Sequence, residues 1–226
     1  MTQARTKITA SHLLRRIMEG ERDFSRTQLS KEGSALDAED GYKGLLNYLE
    51  ARDLRTEPIN AEGADWSGLS AQGISFPFVK MANVDLSGAD LRGGEFRRAD
   101  ISKSNLKGAL LSGASMVGCN LQGADLTDAT MRGTDMYEAS IAGAVLRNAD
   151  MTSAFLLRLT MKDADVTGAS MAGALFYRTD FRSVLGLDKV RDLGSGIFHR
   201  PIVTAREREI IEAALQSRLR FDIRAQ

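Results

Sequence analysis

Cys119, His12, His199 and the many carboxylates are the side chains with chemistry to offer. A cysteine beside a histidine makes a nucleophile, and several such residues make a zinc site. One cysteine, with two histidines placed in opposite terminal segments, supplies neither. Gly194-Ser195-Gly196 resembles part of a phosphate loop, but no strand precedes it and the rest of the fingerprint is missing. Asp65, Asp85, Asn105 and Asp125 form a column when the chain is written in rows of twenty. Calcium needs oxygens clustered within one loop, which this spacing does not provide. The sequence predicts no enzyme, no metal and no cofactor, and Cys119 as a buried, inert thiol.

What spaces these carboxylates is a repeat of five. From Ala64 to Ser183 the chain divides into 24 blocks of five without insertion or deletion. The third residue of every block is apolar, from Trp66 and Ala71 to Phe176 and Phe181, and seven of the nine methionines sit there. The first residue is alanine in 14 blocks, the second Asp or Asn in 11, and the fifth glycine in 12. Coiled coils repeat every 3.5 residues and strands alternate every 2, so neither accounts for the period. A chain that turns a corner every five residues does. It points one large and one small apolar side chain inward and turns on Asp, Asn or Gly.

Ala89-Asp90-Leu91-Arg92-Gly93 and Ala124-Asp125-Leu126-Thr127-Asp128 closely resemble the tandem blocks of the pentapeptide-repeat family. The resemblance implies an all-β solenoid, a right-handed quadrilateral β-helix with twenty residues per coil. Residues 64–183 then make about six coils, a rod about 30 Å long at ~4.8 Å per coil. Interior columns at a spacing of twenty follow: Trp66, Leu86, Leu106, Leu126, Leu146, Val166, and beside it Phe76, Phe96, Met116, Met136, Leu156, Phe176. Leu69, Ile74, Val79 and Val84 exceed the usual alanine, which predicts a wider or less regular first coil. Leu159, also oversized, predicts a bulge.

Three segments are expected: 1–63, a helical cap with an insertion; 64–183, the β-helix; and 184–226, a loop and helix. A solenoid exposes apolar core at its ends unless capped. A helix is expected near Ala10–Glu19, with Leu13, Leu14, Ile17 and Met18 on one face and Gly20 as its stop. Phe24 and Leu29, five apart, could start a coil. A second helix is expected over 38–51, inside an insertion spanning 33–60. Gly186, Gly194 and Gly196 mark a loop. Thr204 and Glu207 form a capping box that opens a helix to about Leu219, and its face of Ile211, Leu215 and Leu219 would cap the rod or hold a second copy.

Thirty basic and thirty acidic residues give no net charge, which argues against nucleic acid or an anionic membrane as a direct partner. The longest apolar runs fall far short of a membrane span, and Met1–Ala10 has no signal-peptide centre, so a cytoplasmic protein is expected. Function is left to the outer faces. Val117, Tyr137, Phe155, Leu157, Leu175 and Tyr177 should share one face as an apolar patch, covered by the protein's own helices, by a homodimer partner or by another protein. The first expectation is a non-catalytic scaffold for a protein partner of unknown identity. The alternative, implied by the family resemblance, is a DNA-mimicking inhibitor or protector of DNA gyrase of the quinolone-resistance type. Mimicry relies on an acidic surface, and residues 64–183 carry 13 acidic against 12 basic residues.

Overall fold

The computed structural model describes residues 6–30 and 54–224, with the side chains of residues 10, 14 and 218–224 outside that description. The second residue of each block pairs in parallel with its equivalent twenty residues on, as in Asp65↔Asp85↔Asn105↔Asp125 and Ser70↔Asp90↔Leu110. Four such ladders run side by side, giving a four-sided coil. First and third residues are buried, and fourth and fifth residues face outward.

One block shows why the period works. Asp85 N–H donates to the Ala64 carbonyl at 2.9 Å, Leu86 N–H to Asn105 at 2.8 Å, Gly88 N–H to Lys107 at 2.8 Å and Ala89 N–H back to Leu86 at 3.0 Å. The remaining N–H, from Ser87, goes to the Asp85 carboxylate at 2.9 Å. All five amide donors are satisfied, four by carbonyls and one by the turn-forming side chain. The same carboxylate contact recurs from Asp100 to Ser102, Asp125 to Thr127 and Asp165 to Thr167. The fifth residue closes the corner in the left-handed region, whether Gly88 at φ 64° or Asn148 at φ 58°.

Where the first residue is polar, its side chain donates inward. Ser104 Oγ reaches the Met81 carbonyl at 2.7 Å, and Thr134 Oγ1 reaches that of Met131 at 2.7 Å. Leu69, Ile74, Val79 and Val84 are fully buried without disturbing the ladder, since Ser70 and Ser75 pair in frame with Asp90 and Glu95. The expected irregularity is absent because Ala61 and Ala71 stand at third positions nearby and Gly94 follows Ile74 in its column. Leu159 makes no break either: Thr160 pairs with both Ser140 and Asp180, and Ala139 and Thr179, its column neighbours, are small.

The ladder extends beyond the perfect repeat on both sides. Asn60 pairs with Asp23 and Lys80, and Gln28 with Asp65. The 24–29 fragment therefore lies in the stack, and the insertion expected over 33–60 ends before Ile59. The helix expected over 38–51 lies outside the described residues. At this end β1 (Thr6–Ile8) pairs with β2 (Thr27–Leu29). Helix α1 (Ala10–Met18), capped by Thr9, buries Leu13 and Ile17, while Met18 is exposed rather than on the inward face. Buried Trp66 donates Nε1–H to Thr27 Oγ1 at 2.9 Å, and Thr27 Oγ1 donates to the Phe24 carbonyl at 2.7 Å.

The loop expected after Ser183 is instead a further turn of the stack. Leu185 pairs with Asp165, Arg191 with Ser170 and Ile202 with Asp180. Its spacing slips from twenty to 21 at Arg191 and to 22 at Ile197, where it stays through Ile202, which breaks the five-residue frame. Short 3-10 turns, Leu187–Lys189 and Leu193–Ser195, occupy two corners. Helix α2 (Ala205–Arg224) then packs on the Leu193–Ser195 turn. Thr204 N–H donates to Glu207 Oε2 at 2.9 Å.

Gly94 tests the packing argument. Its φ is ordinary, but a Cβ there would sit 2.7 Å from the Phe96 ring and 3.0 Å from the Leu91 carbonyl oxygen. Gly94→Ala should destabilise by about 1–3 kcal/mol through overpacking. Gly108→Asn, at φ +64° with open space, should cost under about 1 kcal/mol. Urea unfolding followed by circular dichroism measures both. Equal effects would contradict this account of the core.

Candidate functional site

The outward positions fall into columns. On one face the second residues run Glu95, Ser115, Asp135, Phe155, and here the pairing lengthens from single bridges into strands. Strand β3 (Phe155–Leu157) pairs with β4 (Leu175–Tyr177), which pairs with β5 (Ile197–His199). Phe155, Leu175 and Ile197 stand in register, as do Leu157, Tyr177 and His199. The middle residues point in: Phe176 is fully buried and stacks on Phe198, ring centroids 4.6 Å apart.

All six residues expected on an apolar face share this one. Leu157 and Tyr177 are half-buried beside Phe155 and Leu175, and Val117 and Tyr137 occupy the preceding coils. Phe155 is 48 % exposed and Ile197 61 %, so α2 leaves them uncovered. Ile197 and His199 were absent from the sequence expectation, because residues after Ser183 read as a loop. A signal was present: Phe155-Leu156-Leu157-Arg158, Leu175-Phe176-Tyr177-Arg178 and Ile197-Phe198-His199-Arg200 share three apolar or aromatic residues and an arginine. Among the second set of expected residues, Ile211 is buried and Leu215 partly buried against the core, while the Leu219 side chain lies outside the described residues.

Elsewhere several carboxylates have nearby cations. Arg92 meets Asp90 at 2.7 Å, Lys107 meets Asp125 at 3.1 Å, Arg147 meets Asp165 at 2.6 Å and Arg182 meets Asp180 at 2.7 Å. The hydrogen bond from Arg92 holds Asp90 below the usual carboxylate range, and that from Arg182 does the same for Asp180. The cations of these pairs are exposed to solvent, which limits what each pair contributes. They leave the acidic columns short of uncompensated charge.

Among the described residues no group of three His, Cys, Asp or Glu side chains is placed to hold a metal. His12 and His199 are exposed, near opposite ends of the stack. Gly194-Ser195-Gly196 forms a corner: Ser195 Oγ donates to the Asp192 carbonyl at 2.7 Å and accepts from Gly173 N–H at 3.0 Å. A cavity of about 380 Å³ opens there between the turn and α2, lined among the described residues by Val190, Asp192, Gly194, Ser217 and others. Among the described residues no helix is long and apolar enough to cross a membrane.

These ladders define a β-helix solenoid. Family comparison finds pentapeptide repeats in eight copies, matching residues 80–116, 104–141, 114–152 and 131–168. Residues 80–168 thus match the pentapeptide-repeat model, and the fold that such repeats imply is a right-handed β-helix. QnrB1, a plasmid-mediated fluoroquinolone resistance protein solved in a trypsin-treated form, overlays with a TM-score of 0.53 at 16% identity, over 70% of this chain and 88% of that one. At that identity the likeness shows the fold alone. HetL, a pentapeptide repeat protein involved in heterocyst differentiation regulation from the cyanobacterium Nostoc sp. strain PCC 7120, is 17% identical over 86% of this chain and 94% of its own, with a TM-score of 0.33. A pentapeptide repeat protein from the Arabidopsis thaliana thylakoid lumen is 30% identical over 50% of this chain and 65% of its own, with a TM-score of 0.22. Comparison with curated proteins finds no match.

Cys119 occupies a first position, 1% exposed, and its thiol donates to the Phe96 carbonyl at 2.6 Å. Burial pushes it up to about 12. A thiolate is the reactive form, so a thiol-reactive disulfide reagent at pH 8 should leave native Cys119 unmodified and titrate one thiol in denaturant. Rapid labelling of the native chain would contradict the packing described here.

Proposed function

We propose that this chain is a non-catalytic protein-interaction scaffold, a β-helix of about six regular coils with helical ends that binds a protein partner through one face or one end. The observation that supports it is the outward ladder of Phe155, Leu175 and Ile197, with Phe155 and Ile197 exposed and Leu175 half-buried between them. Contiguous apolar surface of this kind is seldom left bare on a monomer. In this reading residues 1–63 cap one end, 64–183 carry the regular repeats and 184–226 close the other end. The protein acts in the cytoplasm without a cofactor. The same reading allows a homodimer built on the Ile211, Leu215 and Leu219 face, although Ile211 is already engaged by its own core.

DNA gyrase protection is the second reading. Asp65, Asp85, Asp125 and Asp165 share one face, as a duplex mimic requires. Lys107 and Arg147 beside Asp125 and Asp165 weigh against it. Two assays separate the readings. Immobilised chain should retain a discrete protein from an extract that a Phe155→Ser, Leu175→Ser variant of equal melting temperature does not. Gyrase supercoiling should be unaffected by the chain, with or without quinolone. Equal retention by the variant would remove the face reading, and a shift in supercoiling would replace it with the second.

A further inference from the structure

The three extended strands end alike. Arg158, Arg178 and Arg200 each follow the outward pair of their strand and sit at left-handed φ of 54°, 52° and 49°. Glycine holds this corner position in many other blocks, and any side chain there carries strain of order 1 kcal/mol. Stacked coils bring successive arginines within ~5 Å at the backbone, so their like charges repel. Only the first has compensation in view: Arg158 Nη1 donates to Glu138 at 2.6 Å and to the Tyr137 hydroxyl at 3.2 Å. Arg178 and Arg200 are exposed and have no carboxylate partner among the described residues. On other faces the arginines at 92, 147 and 182 each meet an aspartate. This row is therefore different in kind.

The row also lies beside the apolar ladder. From one coil to the next the face repeats an apolar residue, then Leu157, Tyr177 or His199, then arginine. Tyr177 and His199 stack with ring centroids 5.2 Å apart. The opposite border has short side chains or none: Ser153, Gly173 and Ser195. We propose that β3, β4 and β5 bind an acidic amphipathic segment of a protein partner. It would run along the stack axis, with apolar side chains against Phe155, Leu175 and Ile197 and a row of carboxylates against the arginines. A helix presents like residues every ~6 Å along one face at i, i+4 spacing, close enough to the ~4.8 Å coil rise for two carboxylates to address three arginines. The aliphatic ladder favours protein over nucleic acid, which wants flat aromatic platforms along a basic groove. A second copy of this chain would bring its own arginine row to the interface.

The inference rests on the reading that this face binds protein. The test is selection of a phage-displayed library of random sixteen-residue peptides on the immobilised full chain. Enriched peptides should combine Asp or Glu with Leu, Ile or Phe at helical spacing. Synthetic copies should bind Arg178→Glu, Arg200→Glu at least roughly tenfold more weakly at low salt, and that difference should shrink in high salt. They should also lose binding to Phe155→Ser, Leu175→Ser, while both variants melt like the parent. Neutral or basic peptides that need Phe155 and Leu175 but ignore the arginines would overturn the acidic partner and leave the face reading standing. Peptides indifferent to both variants, or none, would overturn the proposal. So would a (dT)16 oligonucleotide binding through the same arginines, or a dimer in light scattering that dissociates in the Phe155→Ser, Leu175→Ser variant.

Discussion

The constraint on which the structure rests is the fate of backbone N–H groups at a corner repeated every five residues. A chain that turns so often leaves no room for continuous sheet hydrogen bonding on each side. In the block from Asp85 to Ala89, carbonyls of adjacent coils take three donors, the turn takes one and the Asp85 carboxylate takes the last. An unpaired buried donor costs free energy comparable to a lost hydrogen bond. The recurrence of Asp and Asn at second positions follows from this accounting. Each carboxylate is held against its own turn, with its neighbours in the column separated by the rise of a coil.

The same arithmetic explains what could be read from the sequence. Periodicity reports the inward residues, so the frame from Ala64 to Ser183 exposes the solenoid directly. It becomes silent once the spacing slips by one residue at Arg191 and again by Ile202. The Leu193–Ser195 turn and the glycines around it look like a loop, yet Phe198 continues the interior aromatic stack on Phe176. Volume is hard to read for a related reason. Leu159 and the large residues from Leu69 to Val84 look oversized one at a time, whereas packing responds to the sum of each layer. Small neighbours such as Ala71, Ala139 and Gly94 absorb the excess.

Candidate surface residues were legible in part. Once four sides are assumed, Phe155, Leu157, Leu175 and Tyr177 must share a face, and they do. Ile197 and His199 were lost with the further turn after Ser183. The arginine row was lost because overall neutrality hides local arrangement. Twelve basic residues between Ala64 and Ser183 nearly balance thirteen acidic ones, but Asp90, Asp125, Asp150, Asp165 and Asp180 each meet a cation, while among the described residues Arg178 and Arg200 meet no carboxylate. Net charge constrains solubility and long-range steering. It says little about a surface three coils high.

A solenoid separates two kinds of information. Inward positions specify the coil, and almost any side chain is tolerated outward provided the turn can still close. An outward residue that makes the turn worse therefore has no explanation in the fold. Phe155, Leu175 and Ile197 give up the side-chain acceptor that aspartate offers in equivalent positions, and their strands each end in an arginine strained at positive φ. Three consecutive coils share both departures on a single face and in register. Random drift of outward positions would scatter such departures over four faces, as the isolated Leu110 and Val145 are scattered. Coincidence in one patch points to a selective force acting on that patch from outside the chain. The molecule's function is thus to be sought where its sequence fits its own fold least well.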